Sequence, residues 1–416
     1  MSDDAPTLAL AAGFAPATDA AWRTLVDKVL KGGDFERRLA SRTADGLRIA
    51  PLYKRGDAPD VAVPAPGADA AGWDIRQRHG VADPAATNAA ILADLAGGVT
   101  SIALQIEAPG QTGAGYTADV LRRALAGVLL DVCPIALDAG EYTVDAAGSL
   151  MEIWREQGIA AGRCRGAFDY DPLGTLARTG ALYNPLPKAL ATAAHLITDT
   201  ASMPGVTALV ADGRPYHAAG ASEAQELAAV LATLVAYLRA AEASQIAPVT
   251  AIKKISIALA ADQDQLLTIA KLRAARLLAG RIGEACGVPD AGRIHITAET
   301  AFRMMARRDP WVNMLRTTIA CASAALGGAD AITVLPFTAA LGAADAFAHR
   351  IARNTHHVLM AESGLGRVGD PAAGSFALDA MTGELSKAAW GLFQEIEREG
   401  GMAASLTAGA FQGRIV

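Results

Sequence analysis

From about residue 73 onward, short apolar or β-branched runs alternate with long stretches of helical period. The runs sit at 73–77 (WDIRQ), 101–107 (SIALQIE), 134–138 (PIALD), 163–168 (RCRGAF), 206–211 (VTALVA), 254–259 (KISIAL), 292–297 (GRIHIT) and 331–335 (AITVL). Between them lie helical patterns such as 87–97, 117–130, 222–241, 265–285 and 310–326. Strands alternating with helices imply parallel pairing through crossover helices. Runs such as ALVA and AITVL are almost wholly apolar or β-branched, as a strand covered on both faces requires. Eight such units in about 260 residues match a closed barrel of about 250. The expected fold class is α/β, a (β/α)8 TIM barrel.

The flanks carry their own pattern. Residues 1–20 are rich in Ala, Pro and Asp. Trp22, Leu25, Val26, Val29 and Leu30 then fall on one helical face, which Gly32-Gly33 stops. A second segment runs from Phe35 to Leu52, and DAPDVAVPAPGADAAG follows as an extended linker or wrapping arm. An apolar-faced helix ahead of a linker needs a cover, so residues 1–60 are expected to be a helical arm that pairs with another subunit. Residues 61–416 are expected to form the barrel. Asp309-Pro310 reads as a capping acid before a proline at the first helical position, followed by Trp311, Met314, Leu315 and Ile319 at helical spacing. After the last strand come a helical run at 340–362, the loop GLGRVGDPAAGS, and a closing helix at about 384–399 that ends at Gly400-Gly401. No second domain is expected.

Composition narrows the class. The chain has 416 residues, 52% of them hydrophobic, and a formal charge of -6. It carries no basic footprint for nucleic acid or an anionic membrane. No apolar run approaches the roughly 20 residues that span a bilayer. The start, with Asp3 and Asp4 and no basic region, is not a good signal peptide, so a cytoplasmic setting is expected. Cys133, Cys164, Cys286 and Cys321 form no CxxC pair and read as scattered core thiols.

Several groups invite a chemical reading. Lys253-Lys254 open the sixth strand; a Schiff-base lysine sits near a strand's C-terminal end, so solvated lysines are the better reading. Asp262 and Asp264 could pair on a metal, but Asp264 reads better as a helix N-cap. His356-His357 are adjacent in a helix and do not share a face, which makes a poor metal pair. Arg303, Arg307 and Arg308 form a small basic cluster that is solvated or faces a partner, with an anion site as the rival reading. No GxGxxG or P-loop lies at a strand-to-helix turn.

Four segments together resemble a known family. GWDIRQRHG (72–80), TIAKLRAARLL (268–278), RIARNTHHVLMAESGLGRVGDPAAGS (350–375) and WGLFQEIEREGGM (390–402) resemble, in order, segments of the methylmalonyl-CoA mutase family. The resemblance implies a barrel whose axis takes the pantetheine arm of an acyl-CoA. It also implies a separate C-terminal domain that binds adenosylcobalamin through a histidine in a DxHxxG motif. The cofactor starts a radical rearrangement, and the barrel supplies position and shielding.

This chain departs from the catalytic pattern. DxHxxG is absent, and the seven histidines (79, 195, 217, 295, 349, 356, 357) lie in other contexts. Arg78 stands where catalytic members carry a tyrosine, while Arg76 matches the family arginine and is the candidate substrate contact. Arg214 and Pro215 stand at the Tyr and His positions that meet the thioester; Tyr216-His217 follows two residues later as a vestigial candidate. Asp169, Thr297, Leu335 and Ala339 replace family glutamine, glutamine, asparagine and glutamate. Losing one such polarising contact typically raises a barrier by about 2.7–4 kcal/mol, so several losses argue against catalysis. The segment DGRPYHAAGA (212–221) resembles the degenerate small subunit of heterodimeric mutases.

The expectation is a small, non-catalytic barrel subunit that stabilises a homologous catalytic chain. Adenosylcobalamin and acyl-CoA would belong to the complex, with the cofactor on the partner. Two alternatives remain: a catalytic barrel working with a separate cobalamin-binding chain, and an unrelated barrel lyase or aldolase using Lys253 or Lys254.

Overall fold

The structure is a computed structural model, and it describes residues 13–15, 17–57, 63, 72–109 and 111–415. Most of the expected linker lies outside the described residues. The chain divides into two compact units, Met1–Tyr53 and Lys54–Val416.

In the first unit, the helix Asp19–Leu30 is capped by Thr18, whose hydroxyl accepts from the Ala21 amide. A short helix, Phe35–Leu39, precedes an antiparallel pair, Ser41–Arg42 with Arg48–Ile49. No residue of either helix is buried.

In the second unit, eight parallel strands close into a barrel. They are β1 (Asp74–His79), β2 (Ser101–Gln105), β3 (Ile135–Asp138), β4 (Arg165–Tyr170), β5 (Gly205–Asp212), β6 (Ile255–Ala261), β7 (Ile296–Thr300) and β8 (Ala331–Thr333). The last strand is short and pairs with β1 and with β7 through three residues each. Side chains alternate along each strand: on β1, Ile75, Gln77 and His79 face the helices while Arg76 and Arg78 face the axis. The backbone of β4 approaches β3 so closely at Gly166 (φ 153°) that a Cβ there would lie 2.2 Å from the Ile135 carbonyl oxygen.

Local chemistry sets several helix starts. Ser222 and Gln225 form a capping box on Glu223–Ala243, and Asp264 caps Gln265–Ala285 by accepting from the Leu267 amide. The closing helix, Phe376–Arg398, packs on both of those helices. Glu223–Ala243 is long and apolar enough by composition to cross a membrane, contrary to the expectation that no run approaches that length. It is a mostly buried core helix of the barrel shell.

Other expectations need correction. The seventh strand begins at Ile296 rather than 292, because Ala291–Arg293 forms a 3-10 turn. That turn docks where Gly283 has no side chain; a Cβ there would stand 1.9 Å from Ala291 Cβ. Asp309 is not the cap of the next helix. Asn313 instead holds the Ala306 N–H and C=O, and the helix begins at Val312. The closing helix starts at Phe376, earlier than 384. Cys286 is exposed, whereas the other three cysteines are buried.

Candidate functional site

The axis of the barrel is lined by charge. Arg78 from β1 sets Nη2 2.7 Å from Glu299 Oε2 on β7 and 3.3 Å from Asp138 Oδ2 on β3. Arg214, just after β5, grips Asp212 through Nε and Nη2, both at 2.8 Å, and reaches Glu299 at 3.4 Å. These groups come from odd strands, which in such barrels share one layer that is usually filled by Val, Ile and Leu. Here the layer is a chain of ion pairs.

Below that layer, Arg76 donates from Nε to Ser101 Oγ at 3.0 Å and from Nη2 to Asp74 Oδ2 at 3.2 Å. Asp169 turns toward the axis at a break in the β4–β5 register, with φ at 52°. Bulges of this kind re-aim a side chain. Burial pushes the Asp169 carboxyl up to about 6. Burial also works to raise Asp138, but Arg78, Arg214 and Arg178 outweigh it and hold that carboxyl below its usual value.

What remains at the waist is a cavity of about 30 Å³ among Arg76, Arg78, Asp138, Asp169, Arg214 and Glu299. That is room for about one water. Larger cavities lie on either side. One of about 1050 Å³ at the C-terminal mouth touches Arg78, His79, Glu107, Leu335, Ala339 and His349. One of about 970 Å³ at the N-terminal mouth touches Trp73, Asp74, Arg76, His295 and Met360. The ion pairs stand between the two.

The positions where the sequence departs from the catalytic pattern mostly gather here. Arg78, Asp169, Arg214 and Thr297 line the waist, and Leu335 and Ala339 line the C-terminal mouth. Arg76 lies on the axis, already held by Asp74 and Ser101. Tyr216 and His217 do not line these cavities. They sit on the short helix Arg214–Ala218, both buried. Tyr216 packs edge-on against Phe411 at 5.1 Å, and His217 Nε2 lies 3.4 Å from Asp262 Oδ2.

The remaining candidates have structural partners. Lys254 is not solvated as expected. It is buried, and Nζ donates to the Met203 and Val206 carbonyls at 2.6 and 3.0 Å, at the N-terminal end of the barrel. Its neighbour Lys253 is exposed. His356 accepts from Trp73 Nε1 at 2.9 Å, and burial pushes its imidazole down to about 3. Arg303 donates to the His217 carbonyl at 2.8 Å, while Arg307 and Arg308 are exposed.

Sequence reasoning missed the acids of the waist, Asp138, Asp212 and Glu299. The available signal was charge at inward positions near strand ends, in PIALD, ALVAD and ITAET. It also missed His79, Asp94 and His349, which lie far apart in the chain and share no motif spacing.

The residues present do not fit a cobalamin cofactor in the manner of the resemblance. At the C-terminal mouth, where it would face a substrate, the two imidazoles His79 and His349 turn toward Asp94 in the wall. Cobalt ligation is therefore not assigned to this chain.

The methylmalonyl-CoA mutase profile matches residues 62–416. The chain is 47% identical to the methylmalonyl-CoA mutase small subunit of Streptomyces virginiae, across 98% of this chain and 68% of that protein. It is 36% identical to the small subunit of Propionibacterium freudenreichii subsp. shermanii, across 95% of this chain and 64% of that protein. To the methylmalonyl-CoA mutase of Escherichia coli K12 it is 28% identical, across 93% of this chain and 59% of that protein. The chain thus spans roughly two thirds of the length of these relatives. With its closed eight-stranded barrel and its match over 62–416, the chain belongs to the methylmalonyl-CoA mutase family, a family that uses adenosylcobalamin, and it is similar to the small subunits within it.

Proposed function

We propose that this chain is the non-catalytic barrel subunit of an adenosylcobalamin-dependent acyl-CoA mutase, and that it stabilises a homologous catalytic chain. One observation carries the reading. The odd-strand layer of Arg78, Asp138, Arg214 and Glu299 leaves about 30 Å³ on the axis. A pantetheine arm needs an open bore, and opening this one would strip at least two arginines of their half-buried carboxylate partners. Losing one such charge-assisted contact costs about 1–2 kcal/mol at this partial exposure. Arg76, the candidate substrate contact, is committed to Asp74 and Ser101 in the same bore.

In this reading the cofactor and the acyl-CoA sit on the partner. The pairing surface includes the helix Asp19–Leu30, on which Leu25 and Val29 are 64% and 79% exposed. A cytoplasmic setting belongs to the same proposal and is supported by four free thiols.

The test is co-expression with a full-length catalytic chain of the family, together with calorimetry of the isolated chain against methylmalonyl-CoA. Co-purification, a raised melting temperature of the catalytic chain, and no acyl-CoA binding by this chain alone are expected. Acyl-CoA binding by the isolated chain, or turnover when it is mixed with a cobalamin-binding chain, would overturn the reading.

A further inference from the structure

Three side chains from three elements meet in the wall of the C-terminal mouth. His79 ends β1, Asp94 lies in the last turn of the helix Pro84–Ala96, and His349 lies on the helix Ala346–His357. Their ligand atoms all lie within 4.8 Å of one another. His79 Nε2 is 3.2 Å from Asp94 Oδ2, and His349 Nδ1 is 3.8 Å from the same oxygen. The two rings stack with centroids 5.5 Å apart and planes inclined by 4°.

Ordinary hydrogen bonding does not account for this arrangement. His79 and Asp94 are 4% and 3% exposed, yet Nε2 and Oδ2 make no hydrogen bond. Gln77, also buried, sets its amide nitrogen 2.8 Å from His349 Nδ1 and leaves its own Oε1 without a partner. Each such buried atom costs about 1–3 kcal/mol, so His79 Nε2 and Asp94 Oδ2, facing each other, ask for a common partner.

The charge of that partner follows from a second, independent feature. Asp94 sits in the last turn of its helix, where the helix dipole disfavours an anion and where no basic residue of that helix stands. Arg353 pairs with Oδ1. Oδ2 still faces the two imidazoles. Two imidazole nitrogens with a carboxylate suit a transition metal better than Mg²⁺ or Ca²⁺. Tetrahedral zinc with bonds of about 2.0–2.2 Å places its ligand atoms roughly 3.3–3.5 Å apart. The 3.2 and 3.8 Å separations from Asp94 Oδ2 lie on either side of that range, and with all three atoms within 4.8 Å of one another the two stacked rings rotate inward to take a common ion.

We propose that His79 Nε2, Asp94 Oδ2 and His349 Nδ1 bind a divalent transition-metal ion, Zn²⁺ first among them, with the fourth position open to the mouth cavity. Gln77 turns its amide away from His349 when the metal takes the Nδ1 lone pair. Arg353 keeps Oδ1 and fixes the carboxylate, as outer partners of metal ligands do. An ion joining β1 to the helix that follows β8 clamps the closing seam, where β8 pairs with β1 through three residues. The proposal concerns the isolated chain and stands apart from the pairing with a catalytic subunit.

The experiment is calorimetric titration of the EDTA-stripped chain with ZnCl₂, read beside its melting temperature with and without the ion. One ion per chain and a raised melting temperature are expected. His349→Ala should weaken binding by at least about tenfold. His195→Ala, which changes an exposed histidine elsewhere, should bind as the wild type does. Co²⁺ in place of Zn²⁺ should give a visible absorption band that His349→Ala and His79→Gln both lose. If His79→Gln does not fold, His349→Ala alone decides. No zinc binding by the wild-type chain, or equal affinity in His349→Ala, would overturn the proposal.

Discussion

Arg78 Nη2 stands 2.7 Å from Glu299 Oε2, so a cation from β1 and an anion from β7 meet over the barrel axis. The same guanidinium faces Asp138, and Glu299 also faces Arg214. Four charges thus share one layer, and removing any one leaves its neighbours under-compensated. Glu299→Gln should lower the unfolding free energy by about 1–2 kcal/mol, allowing for the partial exposure of these groups. The double variant Glu299→Gln with Arg78→Met should lose less than the sum of the two single losses, because contacting residues couple. Urea unfolding of the four proteins reads both effects. Strict additivity would show that the layer is not a coupled unit.

A second ion pair is wholly internal. Lys271 Nζ lies 2.6 Å from Glu226 Oε2, with both side chains fully buried. Burial works to discharge the ammonium, but Glu226 and Glu223 outweigh it and hold the lysine above its usual value. Glu226 Oε1 also accepts from the Ala260 amide on β6. Glu226→Ala should cost about 3–5 kcal/mol because it strands a buried cation, while Lys271→Met with Glu226→Leu should recover most of the loss. Chemical denaturation checks both.

Asp171 gives a pH dependence with a defined sign. Burial, then the adjacent Asp212, pushes its carboxyl from 3.8 up to about 7, against hydrogen bonds from Tyr237, Gly174 and Asp212. A raised folded value means that the native state holds a proton the unfolded chain has released. The stability it contributes is therefore full below about pH 4 and lost as pH rises through 7. Relative to Asp171→Asn, the wild type should lose stability between pH 4 and pH 7. Parallel stability curves for the two proteins across that window would contradict the assignment.

The helix Asp19–Leu30 offers a test of pairing that leaves the barrel alone. Leu25 and Val29 are exposed, and exposed substitutions usually change stability by less than about 0.5 kcal/mol. Leu25→Asp with Val29→Asp should weaken co-purification with the catalytic chain by at least tenfold, since apolar anchors dominate an interface, while the melting curve of the isolated chain stays in place. Unchanged co-purification would remove this helix from the interface.

Much of the barrel was legible because patterning is local. ALVA and AITVL read as buried strands, and Asp264 marked its helix start through a bond made within four residues. Local pattern fails where a distant segment competes. Asn313 took the turn that Asp309-Pro310 would have capped, and the glycines of Gln265–Ala285 received the turn that displaced the start of β7. Helical period also placed Trp311, Leu315 and Ile319 on one face without telling that this face is exposed; Ala320, Cys321 and Ala324 are buried instead. Small residues pack a helix against a barrel closely, and hydropathy alone does not record that.

By itself the sequence determined a parallel eight-stranded barrel and its resemblance to a family, and marked the positions that differ from the catalytic pattern which that resemblance implies. Only the tertiary structure decided what those replacements do together. Arg78 and Glu299 are 221 positions apart, and nothing local says that they meet; barrel closure brings odd strands into one layer and turns separate substitutions into a charged plug. The same closure gathers His79, Asp94 and His349. Inward direction follows from strand alternation, but pairing across an axis depends on the shear and register of the whole sheet, which no segment of the chain contains.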